Sequence, residues 1–272
     1  MPEGHSVHRL ANLFNERFAD SSVLASSPQG RFAEGAALLD GRILQAAEAH
    51  GKQMFLGFSG DHWLRIHLGI YGMWRFSGPG LEGHGRRTKH DRGDTWPPAP
   101  VGQVRLRLLS GTRLADLSGP AACELLDPGQ KAAAQLTMGD DPLRPDADPA
   151  RAVRKLRASR AAIGLLLMRQ DIIAGIGNIF RAELLFRARM EPHRPGRDLS
   201  EHDARALWDD FAALLPPSVA AGRILTTRPE HRPHPVYVSH RAGKPCFVCG
   251  NPVRSEDMAG RVLYWCPTCQ TE

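Results

Sequence analysis

The sequence predicts an α+β fold: a leading helix, a mostly β N-terminal domain, a helical domain, and a small hairpin that carries cysteines. Three observations predict it. Apolar residues recur at helical spacing over residues 5–18, and strand-like runs broken by glycines follow to about residue 118. Beyond residue 149 the helical period returns, before a tail that holds four of the five cysteines. The 272 residues, 42% hydrophobic and 24% charged, suffice for two domains with a real core and exclude a disordered or fibrous chain. Lys and Arg number 35 against 29 Asp and Glu, and the resulting +6 favours a polyanionic partner without proving one. No apolar run approaches the roughly 18 residues of a membrane span. The opening MPEGHSVHRL lacks the apolar stretch of a signal peptide, so a cytoplasmic chain with reduced thiols is expected.

Val7, Leu10, Ala11, Leu13, Phe14 and Phe18 define the first helix. Val104, Leu106 and Leu108 alternate with Arg105 and Arg107, the pattern of a half-buried strand, and 54–58, 62–67 and 111–117 read similarly. The Gly-, Pro- and charge-rich span 78–100 is expected to be a long loop. These runs place an N-terminal domain at 1–126. DPGQ and GDDPLRPDADP are read as breaking any regular element, which puts a linker at 127–149. Helical patterns at 151–169, 177–189 and 200–215 give a second domain at 150–221, and the strand-like tail gives a cysteine module at 236–270.

Cys246 and Cys249 precede Cys266 and Cys269 by sixteen intervening residues. This spacing lets two tight turns converge four thiolates on one tetrahedral metal, with no position left for an activated water. One structural zinc ion per chain is expected. Cys123 stands alone and reads as a small core residue. Pro245-Cys246-Phe247-Val248-Cys249 matches half of a nucleobase-deaminase signature, but no His is followed two residues on by Glu, which excludes that chemistry.

If Met1 is removed, Pro2 becomes a free secondary amine able to attack an aldehyde carbon and form an iminium, an electron sink for elimination. Glu3 beside it is placed to act as acid or base. The run Asp171-Ile172-Ile173-Ala174-Gly175-Ile176-Gly177-Asn178 reads either as a phosphate-cradling turn at a helix N-terminus or as a plain helix–helix turn. Phe180 occupies the place of a third glycine, so it is not a dinucleotide fingerprint.

MPEG, Gly51-Lys52, GIGNIFRAE and a terminal four-cysteine hairpin ending YWCPTCQ occur in this order. Together they resemble the formamidopyrimidine-DNA glycosylase and endonuclease VIII family, and the match spans Pro2 to Gln270. The resemblance implies a β-sandwich behind the leading helix, a helix–two-turns–helix domain and a zinc finger. It implies a monomer acting on damaged DNA as a glycosylase and abasic-site lyase. Pro2 would attack C1′, Glu3 would protonate the sugar ring oxygen, and Lys52 would assist near the lesion's phosphate. Asn178 and Arg261 would hold the phosphates flanking the flipped nucleotide. Each has a plainer alternative: Lys52 a solvated surface lysine, Asn178 a helix cap, Arg261 an ion pair with Glu256 or Asp257.

The segment His67-Leu68-Gly69-Ile70-Tyr71-Gly72-Met73-Trp74 resembles the endonuclease VIII intercalation loop, with Ile70 and Tyr71 as the wedge and Gly69 in place of a larger polar residue, which leaves two wedge side chains rather than three; the alternative makes Ile70 and Tyr71 core residues of a strand end. Leu117-Ser118-Gly119-Pro120 stands where the formamidopyrimidine branch carries Arg-Arg-Phe, and the segment 222–244 is short. Both departures point to the endonuclease VIII branch and to oxidised pyrimidines. Ser6 departs from the acidic residue that relatives often carry. Arg151, Arg154, Lys155, Arg157 and Arg160, and then Arg223, Arg228, Arg232, Arg241 and Lys244, are candidate DNA-facing clusters. The alternative function is a catalytically inactive, zinc-containing DNA-binding protein on the same scaffold, and it would lack the Pro2-Glu3 pair.

Overall fold

A computed structural model describes residues 2–81, 95–231 and 233–271. Two compact units divide the chain: Met1–Pro2 with Val7–Gln135, and Glu3–Ser6 with Leu136–Glu272. Most of the expected 78–100 loop lies outside the described residues. No helix among the described residues is long and apolar enough to cross a membrane.

The first unit begins with most of helix α1 (Gly4–Arg17), followed by strands β1 (Ser21–Ser22) and β2 (Leu24–Ser26), helix α2 (Ala33–Leu39) and strands β3 (Ile43–His50), β4 (Gln53–Phe58), β5 (His62–His67), β6 (Met73–Ser77), β7 (Val104–Ser110), β8 (Arg113–Ser118) and β9 (Ala122–Leu126). The strands form two antiparallel sheets, ordered β1-β3-β4-β5-β9 and β2-β7-β8-β6. Their inner faces share one core with α1, in which Phe14 meets Trp74 edge-on at 4.9 Å and Phe18 at 5.1 Å. This is the expected β-sandwich behind a leading helix. Arg107, expected on the outer face of β7, is instead buried. Its guanidinium donates to both carboxylate oxygens of Asp116, directly across in β8, at 2.8 and 2.7 Å. A fork-to-fork pair satisfies both charges, which alternation alone cannot reveal.

The span 127–149 is not free of regular structure, because helix α3 occupies Pro128–Leu136. DPGQ starts this helix: the Gln130 N–H donates to the Asp127 carboxylate at 2.7 Å, and the Asp127 N–H donates back to Gln130 Oε1 at 2.9 Å. That is a capping box with proline in the first turn.

In the second unit, the expected helix 151–169 is two: α4 (Pro149–Arg157) and α5 (Ile163–Leu166). Between them the backbone pairs with 194–197 rather than with itself, through Arg197 N–H to Ser159 O at 2.7 Å, Gly196 N–H to Ala161 O at 2.9 Å and Ile163 N–H to Arg194 O at 2.8 Å. Helix α6 (Asn178–Arg187) follows, and α7 (Glu201–Ala221) runs from its Ser200 cap through Pro216 and Pro217 to Gly222 at φ 65°. The tail is less strand-like than expected, with only β10 (Arg254–Asp257) paired to β11 (Val262–Trp265) among the described residues. Buried faces of α4, α6 and α7 form one core. A second side of α6, carrying Ala182 and Phe186, meets Tyr237, Val238, Val253 and Cys266.

Candidate lesion site and nucleic-acid interface

Helix α6 begins without a cap of its own, since Gly177 at its N-cap offers no side chain. The missing acceptor arrives from the other end of the chain. Glu3, fully buried, accepts from the N–H of Gly177 at 2.9 Å, Ile179 at 2.8 Å and Phe180 at 3.2 Å. A carboxylate suits this position, because the free N–H groups and helix dipole present partial positive charge. Close packing leaves little room for a side chain at Gly177 in the turn or at Gly4 facing it. A Cβ on Gly177 would fall 2.3 Å from Glu3 Cδ, and one on Gly4 would fall 2.9 Å from the Gly175 Cα. The Gly4 N–H donates to Gly175 O at 2.9 Å, and Gln170 braces the same turn by accepting from Gly175 N–H and donating to Ile176 O. Ser6, in place of an acidic residue, donates its hydroxyl to the Glu3 carbonyl at 2.8 Å.

Pro2 is half-buried and covalently joined to this fixed Glu3. His5, two residues further on, is buried against the edge of Phe180 at 5.8 Å, and burial pushes its pKa down to about 4.

Asn178 is the first residue of α6 rather than its cap. Its Nδ2 donates to the Val262 carbonyl of β11 at 2.7 Å, and its Oδ1 accepts from Arg181 at 2.5 Å. Arg261 precedes Val262 in an exposed turn closed by Met258 N–H to Arg261 O at 2.9 Å. Glu183, the buried last residue of GIGNIFRAE, holds to the helix the segment that leads into the cysteine module. It accepts from Thr226 Oγ1 at 2.5 Å and from the N–H groups of Tyr237, Val238 and Ser239 at 2.6, 2.8 and 2.9 Å. Gln270 adds a second tie, donating to Met190 O and accepting from Cys266 N–H.

The Sγ atoms of Cys246, Cys249, Cys266 and Cys269 all lie within 4.8 Å of one another, Cys246–Cys269 at 3.9 Å and Cys249–Cys266 at 3.5 Å. A tetrahedron with Zn–S bonds of about 2.3 Å has edges near ~3.8 Å. Four thiolates therefore fit one zinc ion held as a structural centre. Cys123 lies half-buried in β9, its thiol pushed up to about 12 by burial, and takes no part.

In the first unit, Gly51-Lys52 is the two-residue turn joining β3 to β4, with Gly51 at φ 56°. The neighbouring His67, paired with Gln53, is held below the usual imidazole range by burial and then by Lys52 and Arg65. From His67 the chain crosses to the second sheet in five residues. Gly69 turns at φ 66°, and the Gly72 N–H donates back to Leu68 O at 2.8 Å. Ile70 and Tyr71 at the tip are 59% and 81% exposed, which excludes their reading as core residues.

The basic clusters are partly occupied inside the fold. Arg151 pairs with the buried Asp140 at 2.5 and 2.8 Å, and Lys155 donates to Asp171 O. Arg241 lies 3.4 Å over the Phe247 ring and donates to Tyr237 O and Pro245 O. Arg232 lies outside the described residues.

Family models match three stretches: the formamidopyrimidine-DNA glycosylase N-terminal domain at residues 1–117, the formamidopyrimidine-DNA glycosylase H2TH domain at 138–229, and a zinc finger found in FPG and IleRS at 243–271. The chain is 44% identical to Endonuclease 8 1 of Mycobacterium tuberculosis with both chains covered completely. It is 30% identical to a probable endonuclease 8 2 of Streptomyces coelicolor over 99% of this chain and 94% of that one. The crystal structure of the MutM (Fpg) protein from Thermus thermophilus superposes with a TM-score of 0.77 at 26% identity, over 99% of this chain and 98% of that one. The chain belongs to the formamidopyrimidine-DNA glycosylase and endonuclease VIII family.

Proposed function

We propose that the protein is a monomeric DNA glycosylase and abasic-site lyase of base-excision repair, removing oxidised pyrimidines with Pro2 as nucleophile. The observation that carries the reading is the docking of Glu3 on the α6 N-terminus, because it fixes a carboxylate one peptide bond from the amine. With Met1 removed, the Pro2 nitrogen attacks C1′ of an extruded nucleotide, and the C1′–base bond breaks, the departing base taking a proton from solvent. The proton lost by the new ammonium passes to Glu3, which delivers it to the ring oxygen as the sugar opens to an iminium at C1′. Loss of the C2′ proton then expels the 3′ phosphate, and a second elimination expels the 5′ phosphate, leaving a one-nucleotide gap. Lys52 and Arg261 supply positive charge to the flanking phosphates and Asn178 a hydrogen-bond donor. Ile70 and Tyr71 fill the space the extruded nucleotide vacates. Zinc takes no chemical part; it orders the hairpin that presents Arg261. The pyrimidine preference is supported by the exposed Ile-Tyr tip, by Leu117-Ser118-Gly119-Pro120 in place of Arg-Arg-Phe, and by 44% identity to an Endonuclease 8 1.

Borohydride reduction in the presence of abasic-site DNA tests it. A covalent adduct mapping to Pro2 is expected, and Glu3→Gln should keep DNA binding while losing about 100-fold or more in base excision. A chain verified to begin at Pro2 that forms no adduct would reject the assignment.

A further inference from the structure

Arg181 lies in the GIGNIFRAE segment, yet the chemistry above gives it nothing to do. Its side chain is 1% exposed, among the largest fully buried ones in the protein. A buried guanidinium is expected to meet a carboxylate, because desolvating an unpaired cation is costly. Here its hydrogen bond goes to a neutral acceptor, Asn178 Oδ1, at 2.5 Å, while its Nε has no partner. The burial is severe enough to push the Arg181 pKa down to about 10, with the nearby Arg261 guanidinium the next cause. Three carboxylates, Glu3, Asp257 and Glu256, oppose that shift, but they act only through space as weaker influences.

An Asn amide has two nearly isosteric orientations, one presenting oxygen and the other presenting NH2 to a given partner. A phosphate needs the NH2. A guanidinium has only donors, so it tolerates only the oxygen on its side and thereby turns Nδ2 outward. The other end of the amide agrees, since Nδ2 already donates to the Val262 carbonyl beside Arg261. We infer that Arg181 is a positioning residue, which locks the Asn178 amide with its donor face toward the DNA phosphate. This inference rests on the proposed phosphate-binding role of Asn178.

The test is a double-mutant cycle on the full, zinc-loaded protein with a duplex carrying a non-cleavable abasic analogue. Zinc content and thermal unfolding establish that each variant is folded. Asn178→Ala and Arg181→Met are each expected to raise Kd about tenfold, and the double variant to be no weaker than either single one within about threefold. The slope of log Kd against log salt is expected to stay as in the wild type for Arg181→Met, because a positioning residue neutralises no phosphate. Single effects that multiply, or a slope reduced by about one, would overturn the inference while leaving Asn178 as a phosphate ligand. An unchanged Kd in Asn178→Ala would instead remove the phosphate role itself, and the inference with it. Should Arg181→Met fail to fold, Arg181→Gln decides, since it keeps a donor and drops the charge. A Kd within about threefold of wild type supports the inference, and a tenfold loss overturns it.

Discussion

Glu3 and Gly177 form a lock in which each residue type is dictated by the other. The carboxylate occupies the place where any side chain at 177 would project, so Gly177→Ala puts a Cβ 2.3 Å from Glu3 Cδ. Something must move, and the helix backbone is the stiffer partner. We expect Gly177→Ala to lower stability by about 1–3 kcal/mol and to cut lyase activity about 100-fold by displacing the carboxylate. A borohydride-trapping rate equal to wild type would show that the carboxylate position is not critical. His5 supplies a pH dependence at the same scale. Burial lowers its pKa from 6.5 to about 4, so well above pH 6.5 the ring is neutral in both folded and unfolded chains and the slope vanishes. As pH falls from 6.5 to about 4, the unfolded chain takes up a proton that the folded chain refuses, and stability declines by about 3 kcal/mol over that window. Denaturant midpoints at pH 7 and pH 4.5 should therefore converge in His5→Leu relative to the wild type. An equal acid loss in both proteins would place the titrating group elsewhere.

At the scale of elements, the turn after β5 is built to expose what it carries. Gly69 and Gly72 close it tightly, Leu68 anchors it in the core, and Ile70 and Tyr71 are left in solvent with no folding role. Tyr71→Ala and Ile70→Ala should leave stability within about 0.5 kcal/mol. Each should weaken binding to an abasic duplex by about 1–3 kcal/mol if it stacks in the vacated space. Single-stranded abasic DNA, which has no hole to fill, should be cleaved at an unchanged rate; an equal loss on both substrates would reject the wedge. This element is legible in the sequence because its glycines and apolar tip lie within six residues. The first helix and the strand at 62–67 are legible for the same reason, as each declares itself by a local period, and 53–58 declares itself by a continuous apolar run. DPGQ misleads because Pro and Gly look like breakers, while the reciprocal Asp127–Gln130 capping needs three-dimensional geometry to be seen. Arg181 and Glu183 are not legible as partners at all. Nearly every side of α6 is buried, from Phe180 to Phe186, so no amphipathic stripe marks its charged residues as unusual. Their roles come from Asn178 in the same helix and from 226 and 237–239 much later in the chain.

At the scale of the whole molecule, positive charge and metal meet in the second unit. Some basic side chains of the sequence clusters are engaged internally, Arg151 by Asp140 and Arg241 by the Phe247 ring, so the clusters overstate the number of cations available to DNA. What places Arg261 is the hairpin, and what orders the hairpin is four thiolates on one zinc; Asn178 ties it to α6 at the Val262 carbonyl, and Gln270 ties the cysteine module to Met190 just beyond that helix. In zinc-finger peptides the metal contributes about 10–16 kcal/mol to folding, far more than a two-strand hairpin of short strands can supply. Removing zinc with a chelator should therefore disorder β10 and β11, releasing the Val262 carbonyl from Asn178 and Arg261 from its turn. The β-sandwich has its own aromatic core around Phe14, Trp74 and Phe76 and should stay folded. The expected outcome is one zinc per native chain by elemental analysis, and on chelation a loss of abasic-duplex affinity of about 100-fold with most β-sheet circular dichroism retained. Restored zinc should restore binding. A chelated, zinc-free protein that binds the duplex as tightly as the native one would show that the hairpin does not position the phosphate contacts.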